Sequence, residues 1–414
     1  MSVSRALPSH RLPQTTEEMA LRLRHLEGFV WLDTAGHHQE NTPSLSLLAA
    51  CPQRHLQGHL GDVTQLRELL MAGAVNSNDP WPVGGLIGTV DYDGRYSFGE
   101  YRDLLIHDHA TGEWWEVGDL LSRGAEDAPR PTAPRLHFQA QMAAAEFCRL
   151  VDAAQRYIAA GDIYQVNLSY PYAADWPTDA EAFATYLRLR ALSPAPHAAF
   201  LQQPARTVLS SSPESFLRMA GSQLQTRPIK GTRPRGRDVA ADASSREALL
   251  ASAKERAELL MITDLQRNDL GKISTYGSVQ VSQLLQLETH AQVFHLVSTV
   301  CGTLKPELDH LHVLQACCPG GSITGAPKHR AQQIIAELEP TPRGLYTGAI
   351  GYLGFNGQSQ FNIAIRTIVQ EKGRVHFHVG AGIVADSQPQ HEWEETQHKA
   401  AGMLAAGNAS GTLT

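Results

Sequence analysis

The sequence is poor in cysteine, and its cysteines have no spacing that would let them act together. Five occur in 414 residues, Cys51, Cys148, Cys301, Cys317 and Cys318. Their odd number and the lack of any Cys-x-x-Cys pair exclude the disulfide framework of a small secreted domain and a zinc ribbon. No run of about 18 apolar residues occurs, so nothing reads as a membrane-spanning helix. The opening stretch MSVSRALPSHRLPQTTEEMA has no apolar core of the kind a signal peptide needs. A basic excess is missing too: 35 Lys plus Arg face 42 Asp plus Glu, for a formal charge of −7. That balance argues against a protein built to grip phosphodiester backbones. The expectation is a soluble protein of a reducing cytoplasm, with neither nucleic acid nor membrane as its partner.

Several catalytic signatures are absent as well. SSPESF has no Gly-x-Ser-x-Gly elbow, and HEWEE puts Glu395 where a zinc protease motif needs its second histidine. CPGGSITGAPKHR places Ala326-Pro327-Lys328 after Gly325, where a nucleotide-binding phosphate loop needs Gly-Lys followed by Ser or Thr. The vicinal pair Cys317-Cys318 reads as two buried small hydrophobes rather than a redox couple.

What is present is ordinary globular composition, 42% hydrophobic and 19% charged, on a chain long enough to bury a large core. The stretch LSRGAEDAPRPTAPR, with three prolines and mixed charge, reads as a connector between an N-terminal lobe (1–130) and a main domain (139–409). In the lobe, LLIHDHATGEWWEV reads as two strands around a turn at Thr111 and Gly112. Beyond the connector, MAAAEFCRLVDAAQRYIAAGD has helical spacing and stops at Gly161, where a residue without Cβ suits a left-handed cap. IYQVNLSYPY follows as a strand. Ser244 and Glu247 form a capping-box pattern that starts a helix running through AKERAELLMITDL, and Pro327 suits the first turn of another. Three strand-like runs close the chain. In the middle one, QFNIAIRTIV, alternation puts Phe361, Ile363 and Ile365 on one face and Asn362, Ala364 and Arg366 on the other.

Four stretches carry potential chemistry. Glu255 and Glu258 lie three apart on one helix, and Glu392 and Glu395 repeat the spacing after Pro389. Such pairs make either a solvated helix face or, jointly, a carboxylate lining for a hard cation such as Mg²⁺. TRPIKGTRPRGR crowds Arg227, Lys230, Arg233, Arg235 and Arg237 around Gly231 and Pro234, as an anion-binding loop or a basic exposed turn. Within it Lys230 stands between apolar Ile229 and small Gly231, a setting that suits a nucleophilic amine. The glycine-rich turn of CPGGSITGAPK feeds a helix N-terminus and could hold an anion or be a purely structural tight turn. In VGAGIVADS, Gly380 and Gly382 either let backbone approach a ligand or mark a bulge.

Taken in order, GDIYQVNLS, SSPESF, TRPIKGTRPRG, AELLMITDLQRNDLGK, PGGSITGAPK, RGLYTGAIGY, NIAIRT, GAGIVADS and EWEET resemble the chorismate-utilising enzymes, the family of anthranilate, aminodeoxychorismate, isochorismate and salicylate synthases. The resemblance runs from about 139 to 409, and WPVGGLIGTVDYDG is similar to the family's first lobe. It implies an α+β sandwich in which antiparallel sheets pack face to face with helices outside and the active site between the sheets. Pro228-Ile229-Lys230-Gly231-Thr232 resembles the aminodeoxychorismate-forming branch, whereas anthranilate synthases typically have alanine at the lysine position. Gln165 stands where water-using members carry a lysine base, which disfavours isochorismate and salicylate formation.

By the same resemblance, Lys230 is the expected covalent nucleophile and Glu214 the acid that protonates the departing oxygen. Mg²⁺ is expected on Glu258 and Glu395, with Glu255 and Glu392 orienting its waters. Substrate contacts are expected from Tyr346 and Arg366 to a chorismate carboxylate and from the backbone of Gly231, Thr232, Gly380, Ala381 and Gly382, with Lys399 nearby. No segment of this chain resembles a glutaminase, so a separate glutamine amidotransferase subunit is the expected ammonia source. The runner-up activity is anthranilate synthesis; a non-catalytic chorismate-binding subunit is the rival of another class. The family's first lobe can hold tryptophan; here WLDTAGHHQENTPSLSLLAACP departs from the usual Leu-Leu-Glu-Ser style.

Overall fold

A computed structural model describes residues 3–7, 15–35, 44–125, 128–178, 180–289 and 293–408. Two antiparallel sheets, of 12 and 10 strands, form the centre. The first includes Val30–Asp33, His197–Gln202, Thr207–Ser212, Thr367–Glu371, Arg374–Ile383 and Gln165–Asp175 as successive neighbours. The second runs from Ile229–Pro234 through Val293–Thr303, Gln223–Thr226, Ser215–Ala220, Gln358–Ile363 and Ala349–Gly354 to Gly85–Val90. Between the sheets lies an apolar layer containing Val30, Ile87, Ala199, Val208, Ile350, Ala364 and Val369. Helices Ala144–Ala159, Ala182–Leu192, Lys328–Leu338 and Pro389–Asn408 cover the outside of the first sheet through Phe147, Tyr186, Ile334 and Met403. Helices Thr64–Ala72, Ala253–Ile273 and His310–Cys317 cover the second through Leu66, Leu270 and Leu314. The expected sandwich is therefore the fold, and among the described residues no helix is long and apolar enough to cross a membrane.

Residues 1–130 donate strands to both sheets. Val30–Asp33 pairs with His197–Gln202 in the first, and Gly85–Val90 pairs with Ala349–Gly354 in the second. The apolar layer between the sheets mixes side chains from both sides of the connector. The hairpin around Gly112 forms as expected, with φ of +73° at the glycine, and Gly161 takes φ of +82° just past its helix.

Two sequence expectations fail for local reasons. The Ser244–Glu247 pattern does not start a helix: it lies inside Val239–Ala251, which Asp238 caps. A new helix, Ala253–Ile273, starts where the Ser252 side chain accepts from the Glu255 N–H at 3.3 Å. QFNIAIRTIV is also not one strand. Gln358–Ile363 belongs to the second sheet and Thr367–Glu371 to the first, and the chain changes sheets with Arg366 at φ of +49°.

Candidate active site

The crossing at Arg366 has a twin. Thr207–Ser212 lies in the first sheet and Ser215–Ala220 in the second, so the chain also changes sheets at Pro213-Glu214. The crossings lie side by side because their strands pair on both sides, Thr207–Ser212 with Thr367–Glu371 and Ser215–Ala220 with Gln358–Ile363. The Ile363 N–H donates to the Glu214 carbonyl at 3.0 Å, the Ser211 N–H donates to the Arg366 carbonyl at 3.0 Å, and the Ser212 hydroxyl donates to the Ile363 carbonyl at 2.6 Å. Glu214 and Arg366 thus stand at one point where the sheets part. They open into a cavity of about 750 Å³ that is also lined by Lys230, Gly231, Thr232, Glu255, Glu258, Tyr346, Gly380, Gly382, Glu392, Glu395 and Lys399.

Each wall has a local cause. Lys230 pairs with Leu296 and Thr232 with His295, which leaves Gly231 as the extra residue of a β-bulge at φ of +73°. A bulge of this kind re-aims the side chain beside it. A Cβ on Gly231 would lie 2.8 Å from the Leu249 side chain. The Lys230 ammonium lies 3.8 Å from Glu258, and the Thr232 hydroxyl pairs with the His295 ring at 2.9 Å.

On strand Arg374–Ile383, alternation turns His378, Gly380 and Gly382 toward the cavity, while Phe377 and Ala381 pack into the helix-covered core together with Val379, which also borders the cavity. Ala381, expected as a backbone contact, has its side chain in that core and is not among the residues lining the cavity. A Cβ on Gly380 would sit 2.6 Å from the Leu168 carbonyl and 2.8 Å from the Tyr346 hydroxyl. Gly380→Ala is therefore expected to cost about 1–3 kcal/mol through overpacking, measured by denaturant unfolding. The added methyl should also displace the Tyr346 hydroxyl.

Burial governs the charges. Glu214 is 8% exposed. Desolvation pushes its carboxyl up, and the Ser322 hydroxyl at 2.8 Å, with Lys230 and Lys399, pulls it only partly back. Burial of this kind favours the protonated form of the carboxyl. Burial also pushes Glu255 and Glu392 up, with the charges of Glu258 and Glu395 respectively adding to it. Glu395 is the exception: burial raises it, but ion pairing with Lys399 at 2.7 Å and the fields of Lys230 and Lys254 hold it below its ordinary value. Burial lowers the Arg366 guanidinium, and among the described residues no side chain pairs with it. Lys399 also donates to the Gly380 carbonyl at 3.0 Å, so its amine is already engaged.

The four glutamates come from the first two turns of Ala253–Ile273 and Pro389–Asn408 and converge on one cavity. Among the described residues no cluster of three or more His, Cys, Asp or Glu side chains has metal-site geometry. Mg²⁺ binds through one or two carboxylates, retained waters and an anionic substrate, so a hard-oxygen donor set with mutually repelling carboxylates fits that ion.

The other sequence candidates divide. In the basic loop, Arg227 pairs with Glu288 and Arg235 with Asp242, while Arg233 lines the cavity beside Lys230. The glycine-rich turn is not a phosphate loop: Lys328 is tied to Asp269 at 2.6 Å and to the Cys317 and Pro319 carbonyls. Its contribution is Ser322, the donor to Glu214. Sequence reasoning missed Ser322, Asn167, His295 and His378, which all line the cavity. His378 was accessible by period-two counting back from Gly380, and Ser322 stood inside a quoted motif. His295 had no local signal, since its link to Thr232 crosses two strands. A second, smaller space of about 70 Å³ between the sheets is bounded by Asp33, Trp81, His197 and Tyr352. Residues 36–43, part of the stretch weighed for tryptophan, lie outside the described residues.

Comparison with known proteins agrees with this geometry. Aminodeoxychorismate synthase component 1 of Bacillus subtilis is 37% identical over 362 residues, 78% of this chain and 77% of that protein. Anthranilate synthase component 1 of Bacillus caldotenax is 44% identical over 261 residues, 63% of this chain and 51% of that protein, so the match spans about half the relative's length. The crystal structure of anthranilate synthase component I from Streptococcus pneumoniae superposes with a TM-score of 0.77 at 30% identity, covering 89% of this chain and 93% of that one. The family model for chorismate binding enzymes matches residues 28–405, on both sides of the connector and across the whole cavity, and the chain belongs to that family.

Proposed function

We propose that the protein is an aminodeoxychorismate synthase component I: it converts chorismate and ammonia to 4-amino-4-deoxychorismate, the precursor of 4-aminobenzoate. The observation that carries this reading is the bulge at Gly231, which turns Lys230 into the same cavity as the buried carboxyl of Glu214.

Chorismate is a dianion whose C4 hydroxyl leaves poorly. Arg366 and Tyr346 receive a carboxylate, the guanidinium suiting a two-point contact, and the glycine floor at 380 and 382 admits the ring. The Lys230 amine attacks C2 as the ring double bonds shift and the C4–O bond breaks, while Glu214 gives its proton to the departing oxygen, which leaves as water. Ammonia then adds at C4, the double bonds shift back, the C2–N bond to Lys230 breaks, and the Glu214 carboxylate takes up the surplus proton. Covalent catalysis of this kind divides one hard substitution into two easier ones. Mg²⁺, held by Glu258 and Glu395 with Glu255 and Glu392 behind them, supplies charge neutralisation and substrate orientation when bound. Gln165, buried beside Gly382, is a neutral amide and cannot deprotonate water, which fits an ammonia-using reaction.

Ammonia is supplied by a separate glutamine amidotransferase subunit in the cytoplasm. The second reading is anthranilate synthase component I, favoured by the 44% identity to the Bacillus caldotenax relative. Purified protein given chorismate, Mg²⁺ and ammonium separates the two. Aminodeoxychorismate without free pyruvate, abolished by a chelator, is expected. Anthranilate with pyruvate would replace the first reading by the second.

A further inference from the structure

We infer that Arg343, which does not itself line the cavity, is a positioning residue that fixes three of the cavity's walls at once. Arg343 is 4% exposed, and every N–H of its guanidinium is used. Nε donates to Glu339 Oε2 at 2.9 Å, and Nη2 donates to Glu339 Oε1 at 2.6 Å and to the Asn167 carbonyl at 2.6 Å. Nη1 donates to the Ile323 carbonyl and to the Thr347 hydroxyl, each at 3.1 Å. A guanidinium carries five such donors in a fixed plane, so none is left to rotate toward another partner. Glu339 is held in turn by the Ser169 N–H at 2.8 Å and the Ser169 hydroxyl at 3.0 Å.

Asn167, Ile323 and Tyr346 line the cavity, and they come from strand Gln165–Asp175, the turn Gly321–Ile323 and the segment leading into Ala349–Gly354. The guanidinium carbon lies 5.7 Å from the centre of the Tyr346 ring, which also stacks on His378 at 5.4 Å. Ile323 follows Ser322, the hydroxyl that donates to Glu214. One planar cation thus sets the ring that receives substrate, the strand beside it and the turn that serves the acid. Lysine cannot replace it, because three donors on a flexible stem cannot span four acceptor groups lying in different directions.

The test compares Arg343→Lys with the milder Thr347→Val, which removes a single acceptor. Only the choice of substrate rests on the function proposed above. In Arg343→Lys the KM for chorismate is expected to rise about 10-fold or more, as loss of an outer supporting contact does, with the KM for ammonium unchanged. Thr347→Val should move the same constant less and in the same direction. In hydrogen exchange without substrate, peptides covering 165–169, 321–324 and 345–348 should loosen together. A lower melting temperature with an unchanged KM for chorismate would reduce Arg343 to a fold-stabilising residue and overturn the inference. If the wild-type protein does not turn chorismate over, the proposed function fails and hydrogen exchange decides alone. Joint loosening of the three segments then sustains the inference, and loosening confined to 343–348 ends it.

Discussion

Lys230→Ala is expected to slow formation of aminodeoxychorismate by about 10³-fold, well short of the ~10⁶ that removing a serine nucleophile costs a protease. The reason is geometric. The amine stands on a bulge whose only purpose in the ladder is to add one residue between Leu296 and His295, and the cavity opens in front of it. The fold should be indifferent to the change. The Lys230–Glu258 pair, at 3.8 Å with side chains 20% and 16% exposed, sits at the cavity wall rather than in a core. At 3.8 Å the contact is at the long end of ion pairing, so its loss should leave the protein folded. Amination at the wild-type rate in a folded Lys230→Ala protein would remove the lysine from the mechanism.

Glu214→Gln should be as damaging to activity, by about 10²–10⁴-fold, the usual contribution of a positioned acid. Its effect on stability should have the opposite sign. Burial places the folded-state pKa of Glu214 above that of the unfolded chain, so between the two values the folded protein binds the extra proton. The associated stability is complete below the unfolded value of about 4.3 and is lost as pH rises through the folded one. Glutamine has no proton to lose and still accepts from Ser322. At pH 8 the variant should therefore unfold at the same temperature as the wild type or a higher one, while being nearly inactive. An inactive variant that is strongly destabilised at pH 8 and not at pH 4 would contradict this account of the carboxyl.

Much of this was legible in the sequence because the motifs concern backbone as much as side chains. Gly231 between Lys230 and Thr232, and the alternate glycines 380 and 382, announce places where a strand must bulge or leave room. The helix spacing of Glu255 with Glu258 and of Glu392 with Glu395 also survived intact. The failures share a cause. The alternation from Phe361 to Arg366 gives no sign that the chain is passing from one sheet to the other, and Ile363, Ala364 and Ile368 are each buried, but in different layers. Period two reports burial and is blind to which partner provides it. Ser244 looked like a cap because Glu247 follows, yet Asp238 and Ser252 hold those roles. The Ser322 hydroxyl that donates to Glu214 comes from 108 positions away and has no local signal.

The most direct test of the central claim is the mass of the protein itself after mixing with chorismate and Mg²⁺ in the absence of any ammonia source. The account predicts a species heavier by one chorismate less one water, mapped by peptide digestion to Lys230, that disappears on addition of ammonium as aminodeoxychorismate forms. Product formation with no adduct at Lys230, or with the added mass on another residue, would contradict it.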